Sequence, residues 1–186
     1  MSRLIAVVLG VTLAISLAGC AAPSDANNTG SSNAIPTPDP ALIPPAPDAK
    51  VTAVDAKKFD DGFGDYIFKV GDGPSWCTIT PDLNQVICEQ NEAAASYQPI
   101  PTPTDCQGSY GYQVRLWGAQ PKTGKTAEWV CATGQWQDPT NAQVLPSGSK
   151  VTLGSFTCYV KDTAARCDNT AGQYIALGPK VWAIKD

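Results

Sequence analysis

Histidine is absent from this chain of 186 residues, and methionine occurs only as Met1. Without histidine there is no Ser-His-Asp triad, no Cys-His pair and no imidazole metal ligand. Basic residues are scarce as well, since 13 Lys and Arg stand against 17 Asp and Glu. A nucleic-acid partner requires a basic face, and a polybasic stretch is the usual second contact with an anionic membrane. The composition argues against both.

The long apolar run of the chain lies at its N-terminus. After Met1–Arg3, the residues Leu4–Leu17 are almost all apolar. Such a run is too short to span a hydrocarbon core about 30 Å thick, but it matches the hydrophobic region of a signal peptide. It ends in Leu17-Ala18-Gly19-Cys20, which resembles the lipobox of bacterial lipoproteins.

The lipobox resemblance implies a signal peptide over residues 1–19 and lipidation of Cys20. Diacylglycerol would be attached to the Cys20 sulfur, the chain cut before Cys20, and the new amine usually acylated in turn. Two or three acyl chains hold a protein firmly, whereas one holds it weakly. We therefore expect the protein on the outer face of the cell membrane, outside the cytoplasm. The alternative is an ordinary signal peptide followed by a chance cysteine.

Residues 20–50 are predicted to form a disordered, lipid-anchored tether. The segment after Cys20 contains seven prolines, and Asn27–Asn33 consists of Asn, Thr, Gly and Ser. This composition buries too little apolar surface to offset the entropy of ordering, and its prolines favour extended polyproline II backbone. The tether would hold the folded part away from the membrane; a tolerated low-complexity linker is the alternative.

Residues 51–186 are predicted to form a small, mainly β domain. Tyr66–Val70, Trp76–Thr80 and Gln85–Glu89 are strand-like runs separated by turn residues. Ser155–Val160 and Ala165–Asp168 repeat the arrangement of two strands that each carry a cysteine. The sequence therefore predicts an antiparallel domain of cysteine-bearing hairpins with a weak internal repeat.

Helix signals in the domain are few. Thr52–Phe59 and Asn91–Ser96 are the two places where a helical turn is expected. The Pro-rich segment Gln98–Thr104 reads as an exposed loop that is tied down by Cys106.

Six cysteines remain besides Cys20, and an even number in an exported chain predicts three disulfides. Opposed positions of a hairpin bring Cβ atoms within disulfide range, which pairs the cysteines inside each hairpin and leaves one further pair. The predicted pairs are Cys77–Cys88, Cys158–Cys167 and Cys106–Cys131. A zinc site would need cysteine pairs only a few residues apart, and the spacing lacks them.

A family resemblance rests on the order of these cysteines and of several turn residues. The matching positions are Asp65-Tyr66-Ile67-Phe68, Trp76-Cys77-Thr78-Ile79, Cys88, Pro103, Cys106, Trp117-Gly118, Cys131, Leu145-Pro146-Ser147-Gly148, Phe156-Thr157-Cys158, Cys167 and Gly172. Over 65–177 the pattern resembles a six-cysteine family of actinobacterial secreted and lipid-anchored proteins. That family is of unknown function, so the resemblance implies a fold and a location but no activity. The chain has Gly172-Gln173-Tyr174-Ile175 where the family tends to carry Gly-x-Gly-Phe.

Acidic side chains supply the candidates for metal binding or catalysis. The run from Asp60 to Asp65 could be read as a calcium loop, but it lacks the ligand spacing of an EF-hand, and solvated turn carboxylates are commoner. Two carboxylates could also serve a glycosidase, whose mechanism depends on their separation in space. The candidates for that pair are Asp60, Asp61, Glu89, Glu92 and Glu128.

Tryptophan supplies the candidates for recognition. Four of the five lie in or beside strand-like runs, where a place in the core is the commoner reading. They are Trp76, Trp117, Trp129 and Trp182. Trp136 lies in the loop-like sequence Thr133–Pro139, so an exposed ring there would indicate ligand contact.

Three functional hypotheses follow from these features. The leading one is a non-enzymatic, lipid-tethered binding or envelope-associated module whose ligand is a cell-envelope protein or glycan. The second is a histidine-free hydrolase or carbohydrate-active enzyme, which would need a pocket holding two carboxylates. The third is an inhibitor of secreted enzymes that uses a rigid loop over Pro99–Asp105. No cofactor, metal or nucleic acid is expected, and the protein is expected to be a monomer.

Overall fold

The computed structural model describes residues 34–118 and 124–186. The predicted signal peptide, Cys20 and the first part of the tether lie outside the described residues. Helix in the described part is confined to single 3-10 turns, and none of its helices is long and apolar enough to cross a membrane. The strands are β1 (Thr52–Val54), β2 (Tyr66–Val70), β3 (Trp76–Thr80), β4 (Gln85–Glu89), β5 (Gln113–Trp117), β6 (Ala127–Trp129), β7 (Gln143–Leu145), β8 (Ser149–Leu153), β9 (Phe156–Lys161), β10 (Ala164–Asn169), β11 (Tyr174–Gly178) and β12 (Val181–Lys185).

The strands form two six-stranded sheets. Sheet A has the order β1-β8-β9-β10-β11-β12, and sheet B has the order β6-β5-β4-β3-β2-β7. All neighbours pair antiparallel except β1 with β8 and β2 with β7, which pair parallel. The prediction of a mainly β, antiparallel domain is confirmed, with one parallel edge strand added to each sheet.

The order of elements along the chain occurs twice. In the first half, β1 precedes the five-stranded meander β2–β6, and in the second half β7 precedes the meander β8–β12. The short leading strand of each half pairs with the sheet of the other half: β1 pairs with β8, and β7 pairs with β2. The weak repeat seen in the hairpins is therefore a repeat of half the domain, closed by an exchange of strands.

The three predicted disulfides are present. Cys77 lies directly opposite Cys88 in the β3–β4 pair, and Cys158 lies directly opposite Cys167 in the β9–β10 pair. Each hairpin closes through a turn residue with positive φ, Asn84 at 49° and Asp162 at 53°, a conformation that Asn and Asp adopt more readily than most residues. Cys106 and Cys131 join the loop after β4 to the end of β6.

The core lies between the two sheets. Alternate residues of the central strands point inward, and side chains such as Phe68, Leu116 and Leu177 are completely buried there. The two hairpin disulfides meet in this layer, with Cys88 Sγ 3.8 Å from Cys167 Sγ. The disulfides therefore form part of the packing between the sheets as well as crosslinking their own hairpins.

Two irregular segments cross the outer faces of the sheets. β6 and β7 are opposite edges of sheet B, so residues 130–142, here called the central strap, must cross that sheet to join them. The strap crosses on the outer face, because its backbone contacts Glu89, whose side chain points away from the core-facing Cys88. Lys69 Nζ also donates to Thr140 O in this strap.

Residues 34–50, here called the N-terminal strap, occupy the corresponding position on sheet A. Arg166 donates to Pro44 O, Lys150 Nζ donates to Asp48 O, and Leu42 lines a hollow formed with the β9–β10 and β11–β12 turns. The sequence assigns these residues to a disordered tether, whereas the structure lays them along the domain. Their composition provides no core of its own, but the finished sheet provides a surface against which they pack.

Candidate functional site

Glu89 is a buried carboxylate on the outer face of sheet B. It follows Cys88 at the end of β4, so the alternation of the strand turns its side chain away from the core. The residue is nevertheless only 2 % exposed, because the central strap covers it. The corresponding residue of the other half is Asp168, which follows Cys167 and forms an ion pair with Arg166.

Four N–H groups converge on the Glu89 carboxylate. Oε1 accepts from Gln113 Nε2 and, at 2.7 Å, from the backbone N–H of Trp136. Oε2 accepts from Trp76 Nε1 at 3.0 Å and from the backbone N–H of Gln137 at 3.4 Å. Burial raises the pKa of Glu89 above its usual 4.5, and the four hydrogen bonds oppose that rise.

This arrangement occupies both oxygens of Glu89. An ionised carboxylate offers about four acceptor positions, and here each oxygen already takes two donors from the protein. A general acid or nucleophile needs an oxygen that faces the substrate. Glu89 is therefore built to fix the central strap, and it is not free to act on a ligand.

Trp136 is presented to solvent by the strap that Glu89 holds. Its backbone N–H is bound to Glu89, while its side chain is 39 % exposed. Gln137 adds a second anchor, because its side-chain amide donates to Asp65 at the start of β2. The loop prediction for Trp136 is correct, and the ring stands on a segment fixed at two successive residues.

The other four tryptophans pack in the core or against a sheet, which is the commoner role of tryptophan in strands. Trp76, Trp129 and Trp182 are buried, and the rings of Trp129 and Trp182 lie 5.2 Å apart. Trp117 is half-buried with the Arg115 guanidinium 4.6 Å above its ring.

Two hollows lie on either side of residue 136 along the strap. The first has a volume of about 200 Å³ and reaches from Gln135 to the β4–β5 region. Its lining includes Trp76, Glu89, Asn91, Glu92, Tyr112 and Gln135. The second has a volume of about 460 Å³ and reaches from Gln137 to the loop before β2. Its lining includes Phe59, Asp61, Phe63, Gln137, Asn141 and Gln143.

Exposed carboxamides line both hollows. Asn91 and Gln135 belong to the first hollow, and Asn141 and Gln143 belong to the second. Their side-chain amides bond to no residue within the described part of the chain, in contrast to Gln113 and Gln137, which are tied to carboxylates. Each free carboxamide presents both a donor and an acceptor to solvent.

In the acidic loop before β2, the carboxylates accept hydrogen bonds from the loop's own backbone. Asp60 accepts from Gly62 N–H, and Asp61 accepts from Phe63 N–H and Asp65 N–H. These are the bonds of Asx turns, so the calcium reading gains no support from the geometry. The turns leave the Phe63 side chain 95 % exposed beside the second hollow.

The remaining candidate carboxylates do not form a catalytic pair. Glu128 forms an ion pair with Arg115 on neighbouring strands. Glu92 and Tyr112 line the same hollow as Glu89. Partial burial and the negative charge of Glu92 raise the pKa of Tyr112. The hollow therefore holds two carboxylates, as the enzyme hypothesis requires, but only Glu92 is accessible.

The buried cysteine sulfurs cannot hold a metal ion. Sγ atoms of Cys77, Cys88 and Cys167 lie close enough together for ligation, but each is committed to a disulfide. A thiolate is the ligand form, and a disulfide sulfur does not provide it.

Comparison with known proteins found no relative of this chain. No family model matches the chain, no curated protein matches it, and no solved structure matches it.

Proposed function

We propose that this protein is a lipid-anchored, non-enzymatic binding module that acts outside the cytoplasm and contacts a cell-envelope ligand through the surface around Trp136. One observation supports the binding role above the others. A buried carboxylate fixes the backbone of the strap at residues 136 and 137 while the Trp136 ring remains exposed. A large aromatic side chain on a rigid backbone loses little entropy on binding, which is why such residues dominate interfaces.

The anchoring half of the proposal rests on the lipobox and on the redox chemistry of the chain. The sequence Leu17-Ala18-Gly19-Cys20 supports cleavage and lipidation at Cys20. Three disulfides support an oxidising compartment, since thiols of cytoplasmic proteins are kept reduced. The resemblance to actinobacterial six-cysteine proteins agrees with this location and supplies no activity.

The two other hypotheses are less favoured by the geometry. In the first hollow an enzyme would have to rely on Glu92 alone, because Glu89 has no free oxygen. The second hollow has three carboxylates, Asp60, Asp61 and Asp138, but each accepts hydrogen bonds from the backbone of its own loop. An inhibitor would need a protruding loop over Pro99–Asp105. In that loop Ile100 is 5 % exposed, and the neighbouring Tyr97 hydroxyl donates to Gly111 O at 2.6 Å, so the segment lies on the domain.

A capture experiment tests the binding role. The chain from Ala21 onward is immobilised and exposed to envelope extracts of the cell that makes it, beside the variants Trp136→Ala and Leu83→Ala. Leu83 is a matched control, because it is 41 % exposed and lies in the β3–β4 turn, outside both hollows. We expect a component that is retained by the wild type and by Leu83→Ala but lost with Trp136→Ala. Equal retention by all three chains would reject the Trp136 surface as the site.

A separate experiment tests the anchor. The full chain is expected in the membrane fraction with a mass that includes acyl chains. Cys20→Ala should abolish both lipidation and normal processing. A Cys20→Ala variant that is still processed and membrane-bound would contradict the proposal.

A further inference from the structure

We infer that the ligand of the Trp136 surface is an extended, neutral glycan chain that occupies both hollows and crosses the strap at residue 136. This inference rests on the proposed binding function and adds the chemical class of the ligand. It is carried by three features of the two hollows: their shared polar lining, their charge and their position on the sheet.

The polar lining matches hydroxyl-rich ligands. Two free carboxamides face each hollow, Asn91 and Gln135 on one side and Asn141 and Gln143 on the other. A sugar hydroxyl both donates and accepts hydrogen bonds, and a carboxamide is the side chain that offers both functions on one rigid plane. Aromatic side chains stand beside these amides, and the apolar faces of sugar rings pack on such side chains.

The charge of the lining disfavours anionic polymers. Glu92 faces the first hollow, and Asp60, Asp61 and Asp138 face the second, where Lys58 is the one cation in the described lining. The pKa of Asp138 is lowered by its hydrogen bonds from Thr140, so this carboxylate is ionised at neutral pH. A phosphate- or carboxylate-rich chain would be repelled at both ends, whereas a neutral chain would not.

The position of the hollows disfavours a peptide that binds as an added strand. Such a peptide pairs its backbone with a free sheet edge. Here the hollows lie on the outer face of sheet B, along the line from β5 across β4, β3 and β2 to β7. Four strand spacings make that line about 19 Å long. A ligand that fills both hollows must therefore be a chain of several units.

The experiment separates the glycan inference from the proposed function. Delipidated envelope material from the cell that makes the protein is treated with protease, with periodate, which cleaves vicinal diols, or with neither. Binding of the chain from Ala21 onward to each sample is then measured. We expect binding that survives protease, is lost after periodate, and weakens at least tenfold in Trp136→Ala while Leu83→Ala matches the wild type.

The other outcomes reject different statements. Binding that is lost after protease and survives periodate would overturn the glycan inference and leave the proposed function in place. No binding to untreated material would reject both. Retained binding in Trp136→Ala would show that the ligand does not use this surface.

A second measurement tests occupancy of both hollows. Carbohydrate fragments released from the bound material are separated by size and titrated against wild type, Gln135→Ala and Asn141→Ala, one variant for each hollow. We expect affinity to rise at least tenfold from disaccharides to hexasaccharides, and each variant to weaken hexasaccharide binding. Affinity that is independent of length, or that responds to only one variant, would overturn the two-hollow inference. Thermal unfolding of each variant shows whether a loss of binding arises from a loss of fold.

Discussion

Cys88 and Cys167 are 79 residues apart in the sequence, and their sulfur atoms lie 3.8 Å apart in the core. Each belongs to a different hairpin disulfide, so the contact joins two crosslinks that hold the two halves of the domain separately. The two sheets therefore meet where each is crosslinked across a hairpin.

This contact predicts coupling between the two hairpin disulfides. Replacing both cysteines of one hairpin with alanine should cost about 2–4 kcal/mol of unfolding free energy. Because the sulfurs pack against each other, removal of both crosslinks should differ from the sum of the single losses by more than about 0.5 kcal/mol. Urea unfolding of the Cys77→Ala/Cys88→Ala and Cys158→Ala/Cys167→Ala proteins and of their combination measures this difference.

The third disulfide supplies the control for that cycle. Removal of Cys106 and Cys131 should add to either hairpin removal within about 0.5 kcal/mol, since this disulfide links a surface loop to the end of β6. Additive losses for the two hairpin pairs would show that the Cys88–Cys167 contact carries no energy.

Glu89→Gln should release the central strap. Two N–H groups donate to each oxygen of Glu89. The glutamine side chain replaces one of these oxygens with NH₂, so in either orientation two of the four N–H groups lose their acceptor. A buried N–H left without an acceptor costs about 1–3 kcal/mol. We expect a loss of that size in unfolding free energy and faster hydrogen exchange at the amides of residues 136 and 137. Glu92→Gln is the control, because Glu92 is exposed; equal exchange rates in both variants would contradict the anchoring role.

The pH dependence of stability carries a second signature of Glu89. Burial raises its pKa above 4.5 in the folded state, so just above pH 4.5 the native chain holds a proton that the unfolded chain has lost. The free energy of unfolding should therefore fall as the pH rises through this window. Glu89→Gln should remove that part of the slope. A wild-type and a variant profile that run parallel from pH 4 to pH 7 would show that Glu89 does not titrate there.

The N-terminal strap should stabilise the domain. A chain that begins at residue 34 keeps the contacts of Leu42, Pro44 and Asp48, and a chain that begins at residue 51 loses them. We expect the shorter chain to be less stable by about 1–3 kcal/mol, from lost hydrogen bonds and newly exposed apolar surface. The chain from residue 34 should match the chain from Ala21. Equal thermal stability of all three chains would mean that the strap contributes nothing to the stability of the domain.

The hairpins were the most predictable part of this fold. Tyr66–Val70, Trp76–Thr80 and Gln85–Glu89 have in the structure the bounds that the sequence predicts. Their signal is local, because strand residues alternate with turn residues over a few positions, and the cysteine pairing follows from turn symmetry. The segment Thr52–Phe59, predicted as a helical turn, is a strand over Thr52–Val54 followed by a 3-10 turn.

The exchange of strands was not predictable from local pattern. β1 and β7 have three residues each, and their parallel partners lie far away in the sequence. Neither strand shows a periodicity that indicates a partner. The sequence assigns the N-terminal strap to the tether for a related reason, because the packing of the strap depends on a surface that the rest of the chain forms.

The candidate site was predictable only in pieces. The loop context of Trp136 distinguishes it in the sequence, whereas Glu89 is one of five candidate carboxylates with no feature that sets it apart. The link between them is two backbone hydrogen bonds across 47 and 48 residues of sequence, which no side-chain pattern encodes. The free carboxamides at 91, 135, 141 and 143 were missed because Asn and Gln in loops are ordinary turn and surface residues.

The binding role of Trp136 is tested most directly by following the indole N–H signals of the tryptophans by NMR while the envelope ligand fraction is added. The signal of Trp136 is assigned by its absence in Trp136→Phe. We predict that the Trp136 signal shifts or broadens on binding, while those of the buried Trp129 and Trp182 stay in place. Binding that leaves the Trp136 signal unchanged would contradict the proposal that this ring contacts the ligand.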